Sequence, residues 1–263
     1  MCTLLLAYEA HPDYRLVLAA NRDEYYGRPT ARAGFWEDAP EVLAGRDLGQ
    51  GGTWLGVTRS GRLAAVTNFR DPSAKKEAAP SRGKLVSDFL RLRESSAEYL
   101  EKLRADAALY NGFNLVVGDG RGLSYFSNTT NEARALTPGV YGLSNHLLDT
   151  PWPKVEQGKR ALEEILRGRE RNLIEGVFAV LADRAAADDR HLPDTGVGLE
   201  IERMLSPLFI TSPVYGTRAS TVVLIDRREK VTFVERSFGA DTAGGSESAF
   251  EFRIDARINP RVT

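Results

Sequence analysis

The chain has 263 residues, 42% of them hydrophobic and 27% charged, the balance of a globular protein able to bury a sizeable core rather than of a disordered chain. Its 35 Lys and Arg against 36 Asp and Glu leave a formal charge of −1, which excludes a global electrostatic footprint for nucleic acid or an anionic membrane. A single cysteine excludes an internal disulfide and the multi-cysteine zinc patterns, and His11, His146 and His191 offer no His-x-x-x-His pair, so no metal site is expected.

The longest apolar runs, LLLAY and STVVLI, fall far short of the ~18 residues of a spanning helix, and no transmembrane segment is expected. No Lys or Arg precedes Arg15 and Glu9 interrupts the first apolar run, unlike a secretory signal, so the expected location is cytoplasmic. No Pro/Ser-rich linker divides the chain, and residues 1–263 are expected to form a single domain.

The first element is a β-hairpin: Cys2 to Glu9 is apolar and β-prone, Ala10-His11-Pro12-Asp13 has turn chemistry, and Tyr14 to Ala20 is apolar again. Setting Glu9 opposite Tyr14 places Cys2 opposite Asn21, within ~2 residues. Leu4 and Leu6 point one way while Leu5 and Ala7 point the other, the pattern of a strand covered on both faces. Further hairpins turn at Ser60-Gly61, at Asp119-Gly120 and near Arg227-Arg228, and GVYGLSN (Gly139 to Asn145) and AFEFRID (Ala249 to Asp255) add two strands. Helical spacing predicts helices over Ser81 to Ala107, Pro151 to Gly168 and Asn172 to Ala187, the second with Asp149 or Thr150 as its cap. Antiparallel hairpins with helices in blocks point to α+β layers rather than a βαβ nucleotide fold.

The only cysteine stands at position 2. Removal of Met1 would place a thiol and a free α-amine on one residue, and an α-amine of pKa about 7.7–8.0 can take the thiol proton at neutral pH. Cys2 is therefore a candidate nucleophile, against the plainer role of a small hydrophobe at a strand start. The hairpin returns Asn21-Arg22-Asp23-Glu24 beside it, where Arg22 could favour the thiolate and Asp23 could hydrogen-bond the amine, or where the charges form a solvated strand end. Asn68 and Asn145 each end a predicted strand, where a side-chain amide could donate to an oxyanion or serve as turn chemistry. Arg218 precedes an apolar strand and could bind a carboxylate or lie exposed. GQGGTW lacks the Gly-Lys-Ser/Thr of a P-loop, and GLSNH lacks the second glycine of a nucleophile elbow.

MCTLLLAY, ANRDEYYGRPT, GGTWLGVT, AAVTNFRDP, GLSNHLLDTPWPKV and YGTRASTVVLID together resemble the NRDE family, relatives of transport and Golgi organisation protein 2, from the N terminus to about Asp226. The resemblance implies an α+β fold, the four-layer αββα sandwich of the N-terminal nucleophile hydrolases, with two antiparallel sheets flanked by helices and the nucleophile at the start of a central strand. It is similar in kind to penicillin V acylases and bile salt hydrolases, which also begin Met-Cys-Thr. By position Cys2 matches the nucleophile, Arg22 and Asp23 correspond to an arginine and an aspartate of the second strand, and Asn68, Asn145 and Arg218 resemble the later polar site residues. In those hydrolases the arginine and aspartate are separated; here they are adjacent, and neighbours on a strand face opposite ways.

The activity this implies is hydrolysis of a linear non-peptide amide, or a thioester, by Cys2 after removal of Met1, with no cofactor required. The family's association with haem trafficking implies a second role, a non-catalytic haem-binding or haem-transfer protein using the same pocket, with Cys2 and His146 as the available ligands. The expected partner is accordingly a small-molecule amide or haem.

Overall fold

The computed structural model describes residues 2–168, 172–240 and 245–255; Met1, whose removal is expected, lies outside them. Strands β1 (Cys2–Tyr8) and β2 (Tyr14–Tyr25) form the first hairpin, β3 (Thr30–Trp36) and β4 (Ala39–Asp47) the second, β5 (Leu55–Thr58) and β6 (Leu63–Asn68) the third. Helices α1 (Arg82–Arg91) and α2 (Ser96–Asp106) follow, then strands β7 (Phe113–Gly118), β8 (Leu123–Ser127), β9 (Glu132–Ala135) and β10 (Gly139–Leu143). Helices α3 (Pro153–Arg167), α4 (Leu173–Leu181) and α5 (Leu199–Leu205) precede the closing strands β11 (Tyr215–Asp226), β12 (Lys230–Ser237) and β13 (Ser246–Arg253).

Two antiparallel sheets result, a six-stranded one in the order β10-β1-β2-β11-β12-β13 and a seven-stranded meander from β3 to β9. Leu4, Leu6, Leu16 and Leu18 of the first sheet meet Leu55, Val57, Leu63 and Val116 of the second in a core between the sheets. Leu5, Ala7, Val17 and Ala19 point the other way, onto Leu162 of α3 and Val177, Phe178 and Leu181 of α4. Leu85, Val86 and Phe89 of α1 and Leu100 and Leu103 of α2 cover the outer face of the seven-stranded sheet. The order of layers is helix, sheet, sheet, helix. Each central leucine buried from both sides contributes roughly 1.5–3 kcal/mol, which is why β1 and the Leu16 to Ala20 part of β2 read as unbroken or nearly unbroken apolar runs.

The first hairpin pairs Cys2 with Arg22, one residue from the expected Asn21. The turns fall where expected, with Gly61 and Gly120 supplying the positive φ that those turns require. The predicted helix from Ser81 to Ala107 is two helices. The hydroxyl of Ser95 accepts from Glu98 N–H while the Glu98 carboxylate accepts from Ser95 N–H, a capping box that restarts the chain as α2.

Neither Asp149 nor Thr150 caps α3; Trp152 occupies the N-cap, Asp149 Oδ1 accepts from Gly142 N–H at 2.9 Å and pairs with Lys159, and Thr150 Oγ1 bonds to His146. Helix α4 stops at Leu181, short of the expected Ala187, because the chain from Asp183 onward turns away to the surface. Among the described residues no helix is long and apolar enough to cross a membrane.

Candidate active site

Cys2 begins β1 on the side of Leu4 and Leu6, so its thiol faces the gap between the sheets at the edge of the core. There it lines a cavity of about 280 Å³ together with Arg22, Asp23 and Glu24 of β2, Asn68 at the end of β6, Trp54, and the Pro80 to Gly83 entry into α1. The residue is half-buried. Burial pushes its thiol pKa up, Asp23 adds to the rise, and Arg22 opposes it. At neutral pH the group is a thiol that must lose a proton before it can attack.

Arg22 and Asp23 both reach this cavity although they are adjacent on one strand. Their side chains nevertheless part, and strand β11 is irregular beside them. Its register against β2 slips between Thr217, opposite Asp23, and Ala219, opposite Arg22, leaving Arg218 as an inserted residue. A bulge increases local twist and re-aims the side chains around it. Arg22 turns between the sheets, its guanidinium 4.2 Å from the centre of the Trp54 ring and donating to Thr30 Oγ1 at 3.0 Å. Asp23 turns toward the helical side, accepting at Oδ1 from Thr217 Oγ1 at 2.7 Å, while its carbonyl accepts from Tyr215 Oη at 3.0 Å. Burial raises the Asp23 pKa; Lys154, Thr217 and Arg70 oppose the rise.

Asn68 lines the cavity, and Asn145 stands behind it. The Asn145 side chain is fully buried; Nδ2 donates to the Asn68 carbonyl at 3.0 Å and Oδ1 accepts from Arg70 Nη2 at 3.3 Å. Its backbone carbonyl also accepts from Arg70 N–H at 2.8 Å, so Asn145 clamps the end of β6 and sets the height of Asn68. Arg218 sends Nε to the Phe238 carbonyl and Nη1 to the carbonyls of Tyr25, Tyr26 and Arg28. It holds the segment after β2 in place, and that segment carries Arg28 to the cavity wall.

His146 is not among the residues lining this cavity. Its ring lies 4.8 Å from Phe69 and 5.8 Å from Trp152 between centroids, with Nδ1 bonded to Thr150 Oγ1 at 2.8 Å. Trp54, Val66, Ala79 and Pro80 contribute apolar surface over Cys2, but guanidinium, carboxylate and amide groups predominate where a porphyrin would need apolar faces, so the lining fits a haem poorly.

Three charged residues of the site carry no signal in the sequence. Arg82 opens α1 at the cavity wall and donates from Nη1 to the Gly112 carbonyl at 2.9 Å. Lys154, in the first turn of α3, is 4% exposed, donates from Nζ to the Leu205 carbonyl at 2.9 Å, and is lowered to about 8 by burial against the opposing pull of Asp23. Arg70 forms a buried ion pair with Glu202 of α5 and lies 5.0 Å from the Trp152 ring. In the sequence Arg82 and Lys154 look like any basic residue near a helix start, because spacing along one helix does not report which layer it faces.

Residues 1–240 match the family model described as Transport and Golgi organisation 2. The chain is 40% identical over 281 residues to the Transport and Golgi organization protein 2 homolog of Bos taurus, covering 97% of this chain and 100% of that protein. It is 37% identical over 277 residues to the homolog of Homo sapiens, with the same coverage. Among solved structures, a mutant conjugated bile acid hydrolase from Clostridium perfringens superposes with a TM-score of 0.50 at 9% identity, over 97% of each chain, a likeness of fold alone. The helix-sheet-sheet-helix layers are thus the αββα sandwich of the N-terminal nucleophile hydrolases, as the motifs imply. The chain belongs to the Transport and Golgi organisation 2 family.

Proposed function

We propose that this protein is a thiol hydrolase of small linear amides or thioesters, with Cys2 as nucleophile once Met1 is removed. The observation that carries this is the placement of the single cysteine, at the start of a central strand, in a polar cavity shared with Arg22, Asp23 and Asn68. The fold likeness to a conjugated bile acid hydrolase is in keeping with it.

The chemistry follows from the groups at hand. The Cys2 α-amine accepts the thiol proton, and the sulfur attacks the substrate carbonyl carbon. Arg22 and the Asp23 backbone N–H favour the thiolate, and the Asp23 carboxylate would hold the freed amine by its charge. The Asn68 side-chain amide donates to the oxyanion, and Asn145 keeps it at the right height. Collapse of the tetrahedral intermediate breaks the C–N or C–S bond, and the ammonium returns its proton to the leaving group. Water then attacks the thioester, giving its proton to the amine, and the acid leaves as the thiol re-forms.

The test is turnover of an activated ester such as p-nitrophenyl acetate. The wild-type protein should show a burst followed by steady release, and Cys2→Ala should fall to the uncatalysed rate. Asn68→Leu should lower acylation by about 10²-fold, the usual cost of one oxyanion donor. Turnover that survives Cys2→Ala would remove the proposal.

A further inference from the structure

The charges around Cys2 are unevenly satisfied. Asp47 at the cavity wall accepts twice from Arg28 at Oδ2, at 2.8 and 2.6 Å, and its Oδ1 accepts from the N–H groups of Gly49 and Gln50. Glu24 lies 3.7 Å from the same arginine and accepts from Tyr25 N–H. Asp23 is turned to Thr217. The cations are treated differently: among the described residues Arg22 and Arg82 make no ion pair.

Among the described residues Arg22, 5% exposed, has one hydrogen bond, to a threonine hydroxyl, and a stacking contact with Trp54. Arg82, half-buried, has one among the described residues, to a backbone carbonyl. A guanidinium carries five N–H donors in a planar fork suited to a carboxylate or phosphate, so each retains donors where the cavity opens. Burial lowers the pKa of both, with Cys2 the first group acting against it in each case. Glu24 acts on both from a distance, and Asp47 on Arg22, but among the described residues no carboxylate is in ion-pair contact with either guanidinium, and a desolvated cation gains from an anion placed against it. The wall between them is the entry of α1, whose first turn holds no acidic residue and adds a positive helix end.

We propose that Arg22 and Arg82 form an anion-binding arm of the cavity, so that the molecule acylating Cys2 carries a carboxylate, sulfonate or phosphate within the same cavity of about 280 Å³ as its reactive carbonyl. This deepens the thiol-hydrolase proposal and rests on it for the identity of the acyl donor.

The test uses the one cysteine as reporter and needs no acyl transfer. Cys2 is alkylated with iodoacetate, an anion, and with iodoacetamide, its neutral analogue, each displacing iodide; the ratio of the two rates cancels the reactivity of the thiol itself. In the wild-type protein the ratio should exceed that of N-acetylcysteine by about tenfold or more. Arg82→Gln should bring it down by about threefold or more, and Arg82→Lys, which keeps the charge, should lie between. Butyrate, butanesulfonate and butyl phosphate should slow the iodoacetamide reaction, and the strongest protector identifies the anion. A wild-type ratio equal to that of N-acetylcysteine, a ratio unmoved by Arg82→Gln in folded protein, protection by none of the three anions, or a thiol that neither reagent alkylates overturns the inference. A raised ratio together with no ester turnover would instead remove hydrolysis and leave the anion arm standing.

Discussion

Cys2 carries a thiol that its surroundings hold protonated, and the nearest buried lysine has the opposite fault. Lys154 sits among Asp23, Arg70 and Glu202 at the back of the site, with burial drawing its pKa down to about 8 from an ordinary 10.5. In that interval the unfolded chain holds a proton that the folded protein has released, so unfolding takes up a proton and stability rises with pH. Below about 8 both states are protonated and the contribution is flat. Relative to Lys154→Met, the wild-type protein should therefore gain up to about 3 kcal/mol between pH about 8 and about 10.5. Urea midpoints of the two proteins across that range check this, since taking the difference removes the titration of Cys2 and the tyrosines; a difference that does not change with pH contradicts it. At this scale Cys2, Arg22, Asp23 and Asn68 were legible because the first hairpin and one strand end bring them close with little help from distant chain. Lys154 and Arg82 were not, since a basic residue at a helix start is ordinarily solvated and only the packing of layers makes these two inward-facing.

At the scale of elements, the cavity is shaped by two devices. One is the bulge in β11 at Arg218, which inserts that arginine opposite the Arg22-Asp23 pair of β2 and frees it to hold the segment that follows. A bulge is a mismatch of count between two strands far apart in sequence, so neither strand alone announces it. The other is the glycine contact under α1. A Cβ on Gly52 would lie 2.4 Å from the Gly83 carbonyl carbon and 2.6 Å from its oxygen, and Thr53 N–H donates to that same oxygen at 3.1 Å. The glycine run of GQGGTW thus seats the first turn of α1, and with it Arg82. Gly52→Ala should cost about 1–3 kcal/mol in urea unfolding and lower the iodoacetate preference of Cys2, because backbone must move to admit the methyl. Gly49→Ala, whose Cβ meets nothing nearer than Asp47 Oδ1 at 3.4 Å, is the control and should change little. Equal stability of the two variants contradicts this role for Gly52. The strands of the β1–β2, β5–β6, β7–β8 and β11–β12 hairpins were legible from apolar runs and turn residues. The β3–β4 hairpin was not, because Arg, Glu and Asp interrupt its half-covered faces and blur the period of two. The capping box at Ser95 was present as Ser-x-x-Glu inside an otherwise helical stretch, where the apolar spacing on either side hid it.

Over the whole molecule, the stacking of two sheets turns separate strand ends into one rim. The start of β1, the end of β6 and the entry of α1 come together there, while Asn145 and Arg70 tie the β10 end to Glu202 on α5 behind them. The αββα layering was foreshadowed by the two-faced apolar strands, yet those strands alone do not select among layered folds; the family motifs did. The proposed hydrolysis stands on Cys2 acting through its own amine. Tandem mass spectrometry of the amino-terminal peptide during turnover of an activated ester tests that most directly. The predicted peptide begins at Cys2 and carries one acyl group on sulfur, which decays as the free acid appears. A protein that turns the ester over while its peptide still begins at Met1, or whose Cys2 never carries the acyl group, would contradict it.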